Sequence, residues 1–168
     1  YIDRLSITTS GNVGIGTTSP SSKLVVNTGG YSTIKLQYNG TSVVDIFSNV
    51  SSNIFIGLDS GSVITSGTGN VALGDNALSA TTIGTSNTAI GYFALDSNVA
   101  KQGSTAIGYQ AMMYADNTTT QGLSYNTAVG YQALVGSPAP SSNTGMYNTV
   151  VGHQSMTVNT TGSYNSAL

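Results

Sequence analysis

Asn87-Thr88-Ala89-Ile90-Gly91-Tyr92-Phe93-Ala94-Leu95 is one copy of a motif that recurs from residue 53 to the last residue of the chain. Its five-residue head reads Asn-Ile-Phe-Ile-Gly at 53–57, Asn-Val-Ala-Leu-Gly at 70–74, Ser-Thr-Ala-Ile-Gly at 104–108, Asn-Thr-Ala-Val-Gly at 126–130 and Asn-Thr-Val-Val-Gly at 148–152, and it returns as Asn-Ser-Ala-Leu at 165–168. Successive heads are 17 residues apart, except for two steps of 22 that lead to Asn126 and Asn148. Paired-helix repeats need about 33–47 residues and a four-stranded propeller blade about 40, so this period suits one turn of a parallel β-roll or β-solenoid. The chain stops where the next glycine would fall, and the array is therefore expected to continue in a longer parent protein.

Within each head the side chains alternate. Thr88 and Ile90 face one way, Ala89 and Gly91 the other. Both faces are small or apolar, which predicts burial on both sides, and the inside of one thin solenoid covers only one of them. The second face needs a partner. After each head comes a shorter echo, as in Asp75-Asn76-Ala77-Leu78, Tyr109-Gln110-Ala111-Met112 and His153-Gln154-Ser155-Met156. The column Leu78, Leu95, Met112, Leu134, Met156 is expected to fill the interior. Gly57, Gly74, Gly91, Gly108, Gly130 and Gly152 should be corners or close approaches, where a Cβ would clash or positive φ is required. Asn70, Asn87, Asn126, Asn148 and Asn165 open each strand, as a turn residue with a stackable side-chain amide would. At about 4.8 Å per stacked strand, seven starts give a rod on the order of 35 Å long.

Composition agrees with this reading and removes others. Gly, Ser, Thr and Asn make up 83 of 168 residues, a mixture that competes with helix or breaks it. Disorder is opposed by the 39% of hydrophobic residues and their regular recurrence. Only ten side chains carry a formal charge, with six Asp and no Glu. The net charge of −2, with cations scattered at Arg4, Lys23, Lys35 and Lys101, gives no footprint for nucleic acid. No apolar run approaches the roughly 18 residues a membrane helix needs, so membrane insertion is not expected. With no Cys, stability cannot come from disulfides or thiolate metal sites.

The unit Asn-Thr-Ala-Ile-Gly-Tyr-Gln-Ala-Leu, with spacers such as Asn159-Thr160-Thr161-Gly162-Ser163-Tyr164, resembles the head repeats of trimeric autotransporter adhesins and, more closely, related repeats in phage-type tail-fibre proteins. The resemblance implies a left-handed parallel β-roll and a homotrimer in which three rolls pack around one axis, which would supply the partner for the second apolar face. Ser10-Gly11-Asn12-Val13-Gly14-Ile15-Gly16-Thr17-Thr18-Ser19-Pro20, followed by Lys23-Leu24-Val25-Val26, is similar to a segment common in tail-fibre-like proteins, often those ending in a self-cleaving chaperone. This chain departs from the adhesin pattern in its 17-residue coil and in two five-residue additions.

Two domains are expected. Residues 1–50 form a small β connector with strands at Leu5–Thr8, Lys23–Val26, Thr33–Tyr38 and Val43–Phe47, the last two joined by an Asn39-Gly40 hairpin turn. Residues 51–168 form the repeat β-roll, of about seven coils.

The inventory for chemistry is poor: one His, six Asp, no Glu and no Cys. No catalytic residue, metal site or cofactor is predicted. Asp59, Asp75 and Asp96 read as turn residues, and no EF-hand or glycine–aspartate nonapeptide occurs. Gly14-Ile15-Gly16 is not a dinucleotide fingerprint, lacking the third glycine and the helix. The Thr88, Thr105, Thr127, Thr149 column lacks the second threonine rank an ice-binding face would show. Two features remain as a candidate receptor surface. The first is the ladder Tyr92, Tyr109, Tyr131, His153, whose rings either shield neighbouring coils or offer stacked faces to a sugar. The second is the pair of additions, at 116–125 and at 136–147 with Pro138 and Pro140, which fall in successive coils and should lie side by side. The expected function is a structural and receptor-binding segment of an extracellular trimeric fibre, on a virion or a cell surface. It would attach to a cell-surface glycan or protein and perform no catalysis. The alternative is a self-assembling filament subunit without a receptor.

Overall fold

Each repeated head contributes one short strand, and the strands stack in register. The computed structural model describes residues 5–21, 24–26, 32–38, 41–48, 52–139 and 142–168; among them every regular element is β and none is a helix. In chain order the strands are β1 (Ser6–Ile7), β2 (Val13–Ile15), β3 (Leu24–Val26), β4 (Ser32–Tyr38), β5 (Thr41–Ser48), β6 (Ile54–Ile56), β7 (Val71–Leu73), β8 (Thr88–Ile90), β9 (Lys101–Gln102), β10 (Thr105–Ile107), β11 (Gly122–Leu123), β12 (Thr127–Val129), β13 (Thr149–Val151) and β14 (Ser166–Ala167). One nine-stranded sheet has the order β14-β13-β12-β10-β8-β7-β6-β5-β4, and its seven members from the repeats pair in parallel. The register is the sequence alignment itself: Thr88 lies opposite Thr105, Ala89 opposite Ala106, and Ile90 opposite Ile107.

The alternation within each strand sets what is inside. Phe55, Ala72, Ala89, Ala106, Ala128 and Val150 are buried, together with Leu78, Leu95, Met112 and Leu134, in one core. Met156 is partly buried and packs against it. Small residues alternate with one large residue per unit because the interior is narrow. A single Leu or Met per layer fills it, and in the first layer Phe55 does so from the strand side. The opposite face of the same strands is left uncovered, with Ile54 52% and Leu73 46% exposed and Val71, Ile107 and Val151 also in the open.

The corner after each strand needs glycine for two reasons. From Gly57 to Gly152 these residues have φ between 125° and 137°, where L side chains are strained. A Cβ on Gly108 would also sit 2.4 Å from the carbonyl oxygen of Gly130 in the next unit. Beyond the corner the chain turns with left-handed residues two and four places on, such as Phe93 (φ 56°) and Leu95 (φ 52°). The turn is closed within the unit, where Ala94 N–H donates to Gly91 C=O at 3.2 Å, and between units, where Phe93 N–H donates to Asp75 C=O and Leu95 N–H to Ala111 C=O. Backbone ladder bonds thus continue around the unit, outside the strands.

The N-terminal part differs in detail from the expectation. β2 was not anticipated; it pairs antiparallel with β1 and parallel with β3 in a separate three-stranded sheet. The Ser10–Pro20 segment contains β2 with the turns on either side of it, and Ser6 Oγ donates to Thr17 C=O at 2.7 Å over Gly14, where a Cβ would not fit. β4 and β5 pair antiparallel from Ser32 opposite Ser48 to Tyr38 opposite Thr41, while Asn39 and Gly40 between them lie outside the described residues. β5 also pairs antiparallel with β6. The connector and the repeats therefore share one sheet across the expected boundary near residue 50, and the β4–β5 pair covers the edge that β6 would otherwise expose.

Candidate binding surface

The asparagine column builds the floor beneath the surface. Asn70, Asn87, Asn126 and Asn148 are fully buried, which is tolerable only with every amide group satisfied. The Asn53 side-chain oxygen accepts from both Asn70 N–H (2.7 Å) and Asn70 Nδ2 (3.0 Å), and Asn126 and Asn148 repeat the pattern with their successors. Each Nδ2 also donates to a carbonyl near the end of its own unit, as Asn70 to Gly84 (2.9 Å) and Asn87 to Lys101 (2.9 Å). One side chain thus closes its own unit and clamps the next.

Tyr92, Tyr109, Tyr131 and His153 follow the corner glycines and form one continuous stack. Ring centroids are 5.6, 5.2 and 5.0 Å apart, with planes within 17°, 7° and 8° of parallel. The faces are turned on each other, so the stack shows solvent mainly ring edges. Gln110, Gln132 and Gln154 run beside it as an amide ladder, each Nε2 donating to the previous Oε1 at 2.8 Å.

A second aromatic column was missed in the sequence. Tyr125, Tyr147 and Tyr164 each immediately precede a head asparagine and adopt left-handed φ of 51–60°; the Tyr125 and Tyr147 rings are 5.6 Å apart and tilted by 36°, and those of Tyr147 and Tyr164 stack at 4.9 Å. The 22- and 17-residue spacing of these tyrosines was the signal available. Tyr125 extends over Gly103, where a Cβ would fall 2.4 Å from its ring. One column precedes the strands and the other follows them, so in the later units the uncovered apolar face of the sheet is bordered by tyrosine on both sides.

The two additions are neighbours. Asn143 Nδ2 donates to Asn117 Oδ1 (2.8 Å), Asn117 Nδ2 to Ser137 C=O (3.1 Å), and Tyr147 N–H to Ser124 C=O (2.8 Å). β9 and β11 form a small parallel sheet of their own, attaching the first addition to the unit before it. Pro138 is exposed, and Pro140 lies outside the described residues.

Among the residues whose side chains the structure describes, the histidine and the carboxylates are not brought together. His153 is on the surface against Tyr131, while Asp116, the one carboxylate a serine–histidine–aspartate site could have recruited, is buried and bonded to Ser104, Ser124 and Asn126. Asp75 Oδ1 accepts Leu58 N–H (3.0 Å) and Asp96 accepts the hydroxyls of Ser79 and Ser97, which are turn roles. Among the described residues no cluster of three potential metal ligands occurs, and no helix is long and apolar enough to cross a membrane. No protein-family model, curated protein or solved structure matches the chain.

Proposed function

We propose that this chain is a parallel β-solenoid segment of an extracellular homotrimeric fibre, tail-fibre-like or adhesin-like, which displays a receptor-binding surface and performs no catalysis. The observation that carries this reading is the uncovered sheet face. Ile54, Val71, Leu73, Ile107 and Val151 are exposed on β6, β7, β10 and β13, with half-buried Ile90 and Val129 between them on β8 and β12, and a contiguous apolar strip of this kind marks a contact surface. Covering it contributes on the order of 1 kcal/mol per side chain, repeated at every layer. Three copies packed on this strip would leave the additions and the tyrosine edges facing outward on a rigid shaft.

Rigidity is then the mechanism. Ladder bonds, amide clamps and ring stacks all run along the same axis, so no layer loosens without its neighbours. The joined additions at 116–125 and 136–147 are the part of the surface that departs from the repeat, and loops held on a rigid scaffold are where recognition concentrates. A glycan or protein on a cell surface is the partner proposed. Deleting residues 138–142 should leave the fragment assembled while lowering its retention on target cells, measured with a labelled fragment. Unchanged retention would remove these loops as the receptor surface.

A further inference from the structure

Ser104 and Asp116 form a buried polar cluster that the fibre reading does not use. Along the head positions Asn53, Asn70, Asn87, Ser104, Asn126, Asn148 and Asn165, the fourth alone lacks an amide. Ser104 N–H still donates to Asn87 Oδ1 at 2.9 Å, but its side chain is too short to reach the next member. Asp116, at the start of the first addition, turns inward and takes the vacant place. It is 2% exposed. One carboxylate oxygen accepts Ser104 Oγ at 2.5 Å; the other accepts Ser124 Oγ at 2.6 Å and Asn126 Nδ2 at 3.3 Å. A single carboxyl group thus mends the amide ladder and ties both ends of segment 116–125 to it. The groups that β10, β12 and the addition present to it, Ser104, Asn126 and Ser124, are neutral. The charged group acting on it is Lys101, on β9, whose strand partner in the addition is Gly122.

We propose that Asp116 is a pH-operated latch on the segment 116–125: with its proton, which the 2.5 Å separation lets one carboxyl oxygen donate to Ser104 Oγ, the group holds the segment closed against Ser104 and Asn126, and loss of the proton leaves an anion buried among neutral side chains and loosens it. The inference rests on the reading of the additions as a receptor surface and gives that surface a regulation. Burial is the main influence and favours the neutral acid, against which the hydrogen bonds from Ser104, Ser124 and Asn126 and the charge of Lys101 act, leaving the group above the ordinary aspartate value of 3.8. The folded protein therefore keeps a proton that the unfolded chain has already lost. This contribution to stability is complete below 3.8 and disappears as pH rises through the folded value. Acid tightens this segment and rising pH relaxes it, the reverse of a salt-bridged carboxylate.

Hydrogen exchange of the backbone amides in 117–124, corrected for intrinsic rates, tests this in the intact chain from below pH 3.8 upward through the alkaline range. Protection should fall about tenfold per pH unit between the two values, while amides near Asn70 and Asn87 stay unchanged. Asp116→Asn, which cannot ionise, should hold full protection throughout. Should that variant fail to fold, the carboxyl-carbon shift of Asp116 in the unaltered protein reports its titration directly. Pre-to-post protection that is flat with pH, or a carboxyl group that titrates at or below the ordinary value, would overturn the latch. No receptor enters this readout, so its failure leaves the receptor-surface reading to be judged by the loop deletion.

Discussion

Three residues per unit sit in the left-handed backbone region, and this decides which side chains the sequence can place there. Counting each unit from the residue just before its head, they are Ser86, Phe93 and Leu95 in one unit and Gly103, Gln110 and Met112 in the next. Among the described residues none of the non-glycine residues with positive φ is Val, Ile or Thr, because a branched Cβ meets the following carbonyl in this conformation. Each such residue costs roughly 1 kcal/mol that ladder bonds and packing offset. The interior column is therefore Leu or Met by backbone necessity as well as by volume. Leu95→Met should be nearly neutral, since Met112 already occupies the same place in the next layer. Leu95→Ile, of the same volume, should cost about 2 kcal/mol more. Thermal unfolding of both variants checks the difference, and equal midpoints would refute the backbone explanation.

At the scale of the element, the amide ladder ties each strand to its own unit and to the next. Asn87→Ala removes the acceptor for Ser104 N–H and the donor to Lys101 C=O in a place water does not reach. A loss of about 3 kcal/mol is expected from denaturant unfolding. Much of this architecture was legible beforehand, because a recurring motif converts alignment into register: the strands, corner glycines, asparagine column and interior Leu/Met column all follow from residues that recur every 17 places, or every 22 in the two lengthened units. What was not legible breaks the period. The Tyr125, Tyr147, Tyr164 column stands one place before the last three heads, where the earlier units carry Ser52, Gly69, Ser86 and Gly103, so it shows only in the second half of the array. β2 is only three residues, Val13-Gly14-Ile15, set among glycines, and its local pattern resembles a turn. Asp116 replaces a side chain twelve residues earlier in the chain, and such a substitution is visible only once the addition has been folded back onto the core. The tyrosine ladder was legible as a column but not in its aspect, because ring stacking turns the faces inward.

For the whole molecule, the balance of faces is the central matter. The strands bury one side against a narrow interior and leave the other uncovered along the full parallel sheet, although Ser, Thr and Asn were available for a solvated surface and are used abundantly elsewhere. In the units from β8 to β13 the outward positions alternate Thr with Ile or Val, and the threonine methyl and aliphatic side chains together make a flat strip suited to close packing. β4 and β5 cover the first edge of the sheet but not this face. What covers the strip decides whether the chain is trimeric, and light scattering of the chain across a range of concentrations, before and after mild heating, addresses this most directly. A persistent mass of three times the 17.1 kDa chain is the predicted result. A stable monomer at every concentration would contradict it, showing that the strip is solvated and that the chain is no part of a trimeric fibre.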